Sequence, residues 1–185
     1  LIAKLRHSVP LPILLNIYKL LIHPYLTYGL AAWGQACKTY LNKNYNSLEK
    51  SSSFAVLADW HDHAIPLFLE ANVFQITFLY YESVSSLMHD INDDKALANI
   101  LNLFQKTSNI HLYNARSSTS GKFYVKSSRL EIQNNSFSRL GVKLWNKIPS
   151  YITDRRKKAF KRVLCKLLFD ILGKEDNYFQ DPMIN

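Results

Sequence analysis

Two short strings gather side chains able to handle metals or protons, and each has a plainer role to set beside the chemical one. Asp93-Asp94 places two carboxylates next to each other. Paired carboxylates support two-metal phosphoryl chemistry when they stand at a tight strand turn with a third Asp on a neighbouring strand, holding ions ~3.5–4 Å apart. Here the flanks Met88-His89-Asp90 and Lys95-Ala96-Leu97 read as helix ends, so a loop or helix cap is expected and no catalytic residue is assigned. His61-Asp62-His63 sets two imidazoles at i, i+2 without a third ligand, and a surface loop is the expected reading. Cys37 and Cys165 stand far apart with no Cys-x-x-Cys spacing, so neither a disulfide framework nor a zinc ribbon is signalled and an intracellular setting, nuclear or cytoplasmic, is expected. No Gly-rich phosphate loop, Gly-x-Ser-x-Gly elbow or Ser/His/Asp grouping occurs, which leaves hydrolase chemistry without support. No metal or cofactor is assigned to this chain.

The cations carry the stronger signal. Eight Lys/Arg face eight Asp/Glu in residues 1–110, whereas fifteen face six in 111–185, so the whole net charge of +9 belongs to the second part. Such asymmetry points to a polyanionic partner, and nucleic acid fits, because Lys and Arg gain affinity by displacing counterions condensed on phosphates. The plainer alternative is a merely solvated surface. Two groups are candidates for nucleic-acid contact. One is Arg116, Lys122, Lys126 and Arg129 around a serine-rich arm, with Tyr124 between the lysines as a base-stacking aromatic. The other is Arg155, Arg156, Lys157, Lys158, Lys161, Arg162 and Lys166, in which 158, 162 and 166 align at four-residue spacing. Like charges at that spacing cost a helix a few tenths of a kcal/mol, roughly, unless an anion neutralises them. The alternatives for this group are the solvated face of a core helix and a membrane-surface helix; no lipidation signal supports the latter.

These residues must be held by elements that are mostly helical. Ile13, Leu14, Ile17, Tyr18, Leu20 and Leu21 recur at helical spacing in 12–23, with Pro10 and Pro12 at the entry, and Pro24 is expected to break the helix. Residues 25–34 then form a tight joint or a second short helix, and 44–57 is a weaker helical stretch. Val73, Ile76, Leu79, Tyr80, Val84, Leu87, Met88 and Ile91 form a further stripe after Asn72, a candidate cap. Residues 90–95 read as a loop and 96–104 as a shorter helix, while 117–128 reads as a short strand or extended arm. Phe137, Leu140, Gly141, Leu144 and Trp145 mark a helix stopped by Pro149. Phe160, Val163, Leu164, Leu167, Leu168, Ile171 and Leu172 mark the last, ending at Gly173. The fold class expected is mainly α: a helical bundle in 1–110, then a short extended arm and amphipathic basic helices in 111–185.

With 48% hydrophobic and 20% charged residues, 185 residues suffice for one core or two small helical subdomains sharing one. The apolar stretch 11–36 is interrupted by Lys19, His23 and Pro24 before it reaches the ~20 residues a membrane span requires, so no membrane partner is expected. Trp33 and Trp145 sit on patterns that predict packing rather than base stacking. The chain opens on Leu1 rather than Met, and is read as a piece of something longer.

Four strings resemble the region that follows the catalytic palm in reverse transcriptases of jockey-like, LINE-type non-LTR retrotransposons. Residues 15–34, LNIYKLLIHPYLTYGLAAWG, are similar through Tyr18, Pro24, Tyr28, Gly29 and Trp33. Ala64-Ile65-Pro66-Leu67-Phe68 with Asn72-Val73, and Arg116-Ser117 with Phe123-Tyr124-Val125, are the second and third. Residues 136–149, SFSRLGVKLWNKIP, are the most specific, close to S-F-x-x-x-G-x-K-x-W-N-x-[LI]-P. The chain departs at 48–54, where Glu49 and serines replace the family's Gln and basic residues. The resemblance implies a thumb-like helical region over 1–110 and a basic C-terminal extension over 111–185 of an RNA-directed DNA polymerase. It implies a part that binds template–primer or element RNA (RNA, DNA or hybrid) alongside the remainder of the polymerase, and that is non-catalytic by itself. The family's aromatic-x-Asp-Asp motif, which holds magnesium, stands before the thumb-like string, whereas Asp93-Asp94 stands well after that string, residues 15–34, and lacks the aromatic. The competing class is an orphan or domesticated helical module that binds protein through its apolar faces.

Overall fold

The computed structural model describes residues 8–34, 76–110, 121–127, 129–130, 133 and 136–172. Among them the chain is mainly helical. Its elements are α1 (Leu11–Ile17), a π-helical turn (Tyr18–Ile22), α2 (His23–Thr27), α3 (Leu30–Trp33), α4 (Ile76–Asn92), α5 (Ala98–Leu101), a 3-10 turn (Thr107–Asn109), α6 (Phe137–Lys147), α7 (Ser150–Thr153) and α8 (Lys157–Leu172). The β pairing among the described residues is an isolated antiparallel bridge between Lys106 and Phe123. No helix among them is long and apolar enough to cross a membrane. The chain groups into two compact units, Leu1–Tyr80 with Leu167–Asp176, and Tyr81–Lys166 with Asn177–Asn185.

In the first unit Pro24 does not break the helix. Proline has no N–H, and its ring collides with the carbonyl four residues back. The chain avoids both problems by widening to a π turn over Tyr18–Ile22, where His23 N–H reaches the Tyr18 carbonyl five residues back; Pro24 then falls in the first turn of α2, where no donor is needed. The helical path thus runs from Leu11 to Thr27. Gly29, at φ 63, makes the turn into α3, and Trp33 Nε1 closes it by donating to the Tyr28 carbonyl at 2.8 Å. Gly34 lies against the Tyr80 ring and 2.6 Å, from its absent Cβ, to the Leu30 carbonyl, so no larger residue fits. Leu14, Tyr18, Leu26, Leu30, Phe78, Leu79 and Tyr80 are buried, and burial pushes the Tyr18 phenol up to about 12.

In the second unit Tyr81, Val84, Met88 and Ile91 are the buried apolar positions of α4, the spacing expected of one helix face, and Ser85, Ser86 and His89 are buried beside them. The helix runs to Asn92, so the loop expected at 90–95 starts only at Asp93. Lys95 N–H bonds the Asp90 carbonyl at 2.8 Å and Asp94 N–H the Ile91 carbonyl at 3.2 Å, with Asp94 at φ 56: a Schellman-type stop in which Asp occupies the usual glycine position. Asp93-Asp94 is therefore a helix cap. The helix expected over 96–104 is confined to α5, a single turn. Ser136 sits at the N-cap of α6; at its other end Ile148 is extended before Pro149, which disfavours helical backbone in the preceding residue. Leu140, Leu144, Trp145, Phe160 and Leu164 are buried, giving α6 and α8 the apolar faces their spacing requires. The candidate helix at 44–57, the cap at Asn72 and the stop at Gly173 lie outside the described residues.

Candidate nucleic-acid interface

The arm takes its shape from alternation. Phe123 is 4% exposed, while Lys122, Tyr124 and Lys126 are exposed, so successive side chains point in and out as extended backbone requires. Its root is pinned from two sides. Thr107 N–H and Oγ1 both donate to the Lys122 carbonyl at 2.9 Å, and Tyr124 N–H donates to the Gln105 carbonyl at 2.8 Å. From α6, Asn146 Oδ1 accepts the Phe123 N–H at 3.0 Å and Nδ2 donates to the Phe123 carbonyl at 2.8 Å. Arg129 is exposed, and Arg116 lies outside the described residues.

A chain of aromatic edges links this root to the basic helix. Phe104–Phe123, Phe123–Trp145 and Trp145–Phe160 centroids are 6.1, 6.4 and 5.8 Å apart. His89, 1% exposed, lies 4.6 Å from Phe160, and its Nε2 donates to the Arg155 carbonyl at 2.8 Å, fixing the loop from which α8 starts. A carbonyl can only accept, so the Nε2 proton is required by the geometry. Trp145 is thus a packing residue, 3% exposed; Trp33 is half-buried. A cavity of about 290 Å³ opens beside the arm, lined by Phe104, Phe123, Lys106, Asp94 and neighbours.

The seven basic residues around α8 do not act as one face. Lys157 Nζ meets Asp90 at 2.5 Å and Lys161 Nζ meets Glu82 at 3.1 Å, both acids being on α4. Arg155 Nε donates to the Tyr151 carbonyl at 3.1 Å. Lys158, Arg162 and Lys166 are exposed, as is Arg156. Among the described residues no hydrogen bond or ion pair joins the arm's cations to those of α8. Sequence reasoning passed over Tyr151, 62% exposed in the turn ahead of α8, and the two ion pairs; an aromatic preceding Arg155-Arg156 was the available signal for the first.

Electrostatics elsewhere is local. The hydrogen bond from Lys95 holds the Asp93 carboxyl below its ordinary range, helped by His89, whose Nδ1 stands 3.7 Å away. Burial, reinforced by the Glu82 charge, pushes the Cys165 thiol up. Among the described residues no three His, Cys, Asp or Glu stand close enough to hold a metal ion. The arrangement defines a mainly helical protein with exposed basic side chains on an extended arm and along one helix edge. No family model, curated protein or solved structure matches the chain.

Proposed function

We propose that this chain is a nucleic-acid-binding, non-catalytic portion of a non-LTR retrotransposon reverse transcriptase, lying C-terminal to the catalytic palm. The observation that carries the reading is the exposure of Lys122, Lys126, Arg129, Arg156, Lys158, Arg162 and Lys166 within the part of the chain that bears the whole net charge. Supporting it are the four strings that resemble that family, above all residues 136–149, whose Trp and Asn root the arm to α6. The role is to hold template–primer or element RNA while the parent enzyme polymerises. The parent's magnesium belongs with its palm carboxylates; the described acids of this chain do not fit the ion.

A second reading has one observation in its favour. Leu20, Leu21, Tyr25 and Tyr28 are 59–85% exposed along the first helical path, which suits a protein-interaction module. Fluorescence anisotropy with labelled single strands, duplex DNA and RNA–DNA hybrid over a salt series separates the two. Affinity that falls steeply with salt is expected. Absence of binding at low salt, by a folded monomeric sample, would favour the protein-interaction module.

A further inference from the structure

The basic side of α8 is two rows, of which one is already neutralised. Lys157 and Lys161, one turn apart, face Asp90 and Glu82 on α4. Lys158, Arg162 and Lys166, one residue further round, are exposed and make no hydrogen bond or ion pair among the described residues. Burial of Phe160 and Leu164 fixes the rotation of the helix, so this second row is a straight edge with charges about 6 Å apart along the axis. Just before α8 in the chain come Arg155 and Arg156 and, on α7, Tyr151, 62% exposed, whose carbonyl accepts from Arg155 Nε at 3.1 Å.

We propose that this edge is a track for one strand of nucleic acid, a refinement that rests on the nucleic-acid reading above. Successive phosphates of an extended backbone meet Lys158, Arg162 and Lys166, and an unstacked base lies on Tyr151. Two features select a single strand over a duplex. On α8 the unpaired positive charge is confined to one line, flanked by a row whose lysines are neutralised by Asp90 and Glu82 and so offer no net charge to a second backbone. The aromatic ring needs a base face, which a duplex keeps inside its own stack.

The test uses the full chain with labelled oligodeoxythymidine, oligouridine and a duplex of equal length. Replacing all three of Lys158, Arg162 and Lys166 by Gln is expected to lower single-strand affinity at least tenfold and to reduce the salt slope by about 2, since each phosphate contact on a single strand contributes ~0.7. Lys157→Gln with Lys161→Gln is expected to leave that slope unchanged. Tyr151→Ala is expected to weaken single-strand binding roughly tenfold while Tyr151→Phe retains it and duplex binding is indifferent to both. An unchanged slope in the triple variant, or duplex bound as tightly as single strands, overturns the track while leaving the broader reading intact. Failure of the parent chain to bind any of the probes overturns both.

Discussion

Asn146 grips the backbone of Phe123 with both ends of its amide, accepting the N–H at 3.0 Å and donating to the carbonyl at 2.8 Å. One side chain on α6 thereby replaces a neighbouring strand and holds the arm extended. Phe123 is 4% exposed, so its backbone groups have no ready substitute in water. A buried group left unsatisfied costs ~1–3 kcal/mol. Asn146→Ala is therefore expected to lower stability by about 2–4 kcal/mol in urea titration, with faster amide exchange at Phe123. Asn146→Asp should not rescue it at neutral pH, because a carboxylate oxygen would face the Phe123 carbonyl. A loss under ~0.5 kcal/mol would mean that the clamp is not what holds the arm.

Asp94 occupies a left-handed position, φ 56, at the stop of α4. That backbone is costly for a residue with a Cβ, and a negative charge at a helix C-terminus opposes the dipole. Asp94→Gly removes both and is expected to stabilise by on the order of 0.5–1 kcal/mol, read as a raised denaturation midpoint. Asp94→Ala keeps the Cβ and should gain less.

Much of this fold was legible because burial imposes a period. The apolar spacing in 76–91, 137–145 and 160–172 located α4, α6 and α8, and Pro149 located the end of α6. Pro24 misled because the rule that proline stops a helix assumes the preceding hydrogen bonds keep an α register. A π turn moves the donor by one residue and lets the helix pass. The candidate site was legible as composition but not as geometry. Lys157 and Asp90 are 67 residues apart in sequence, and no local pattern shows that α8's row is divided between acids and solvent. His89 was seen only as a flank of Asp93-Asp94, whereas its bond to the Arg155 carbonyl fixes where α8 begins.

The Asp93 carboxyl is held low by Lys95, 2.6 Å away, with His89 assisting. A group whose folded pKa lies below its unfolded value of ~3.9 contributes stability above that value and loses it as pH falls through the folded pKa. Stability of the parent chain should therefore drop more steeply between about pH 5 and 3 than that of Asp93→Asn. The difference should shrink in high salt, because Lys95 is 64% exposed and the pair is screened by water and ions. Parallel pH profiles for the two proteins would show that Asp93 carries none of the acid dependence.

Cys165 reports on the Lys161–Glu82 ion pair, one of the two that neutralise lysines of α8. Burial raises its thiol, the Glu82 charge raises it further, and Lys161 opposes both. Only the thiolate attacks a disulfide reagent, so at pH 8 Cys165 should react more slowly than an unhindered thiol. In a Cys37→Ser background, Glu82→Gln removes the anion and leaves the Lys161 charge unopposed. Both changes lower the thiol's pKa and should speed reaction with Ellman's reagent on the order of a few-fold. The same substitution frees Lys161, 45% exposed, to join the open row, so it should also steepen the salt dependence of single-strand binding. Faster labelling with a lowered denaturation midpoint would instead report opening of the helix. An unchanged rate with an unchanged midpoint would show that Glu82 does not act on Cys165.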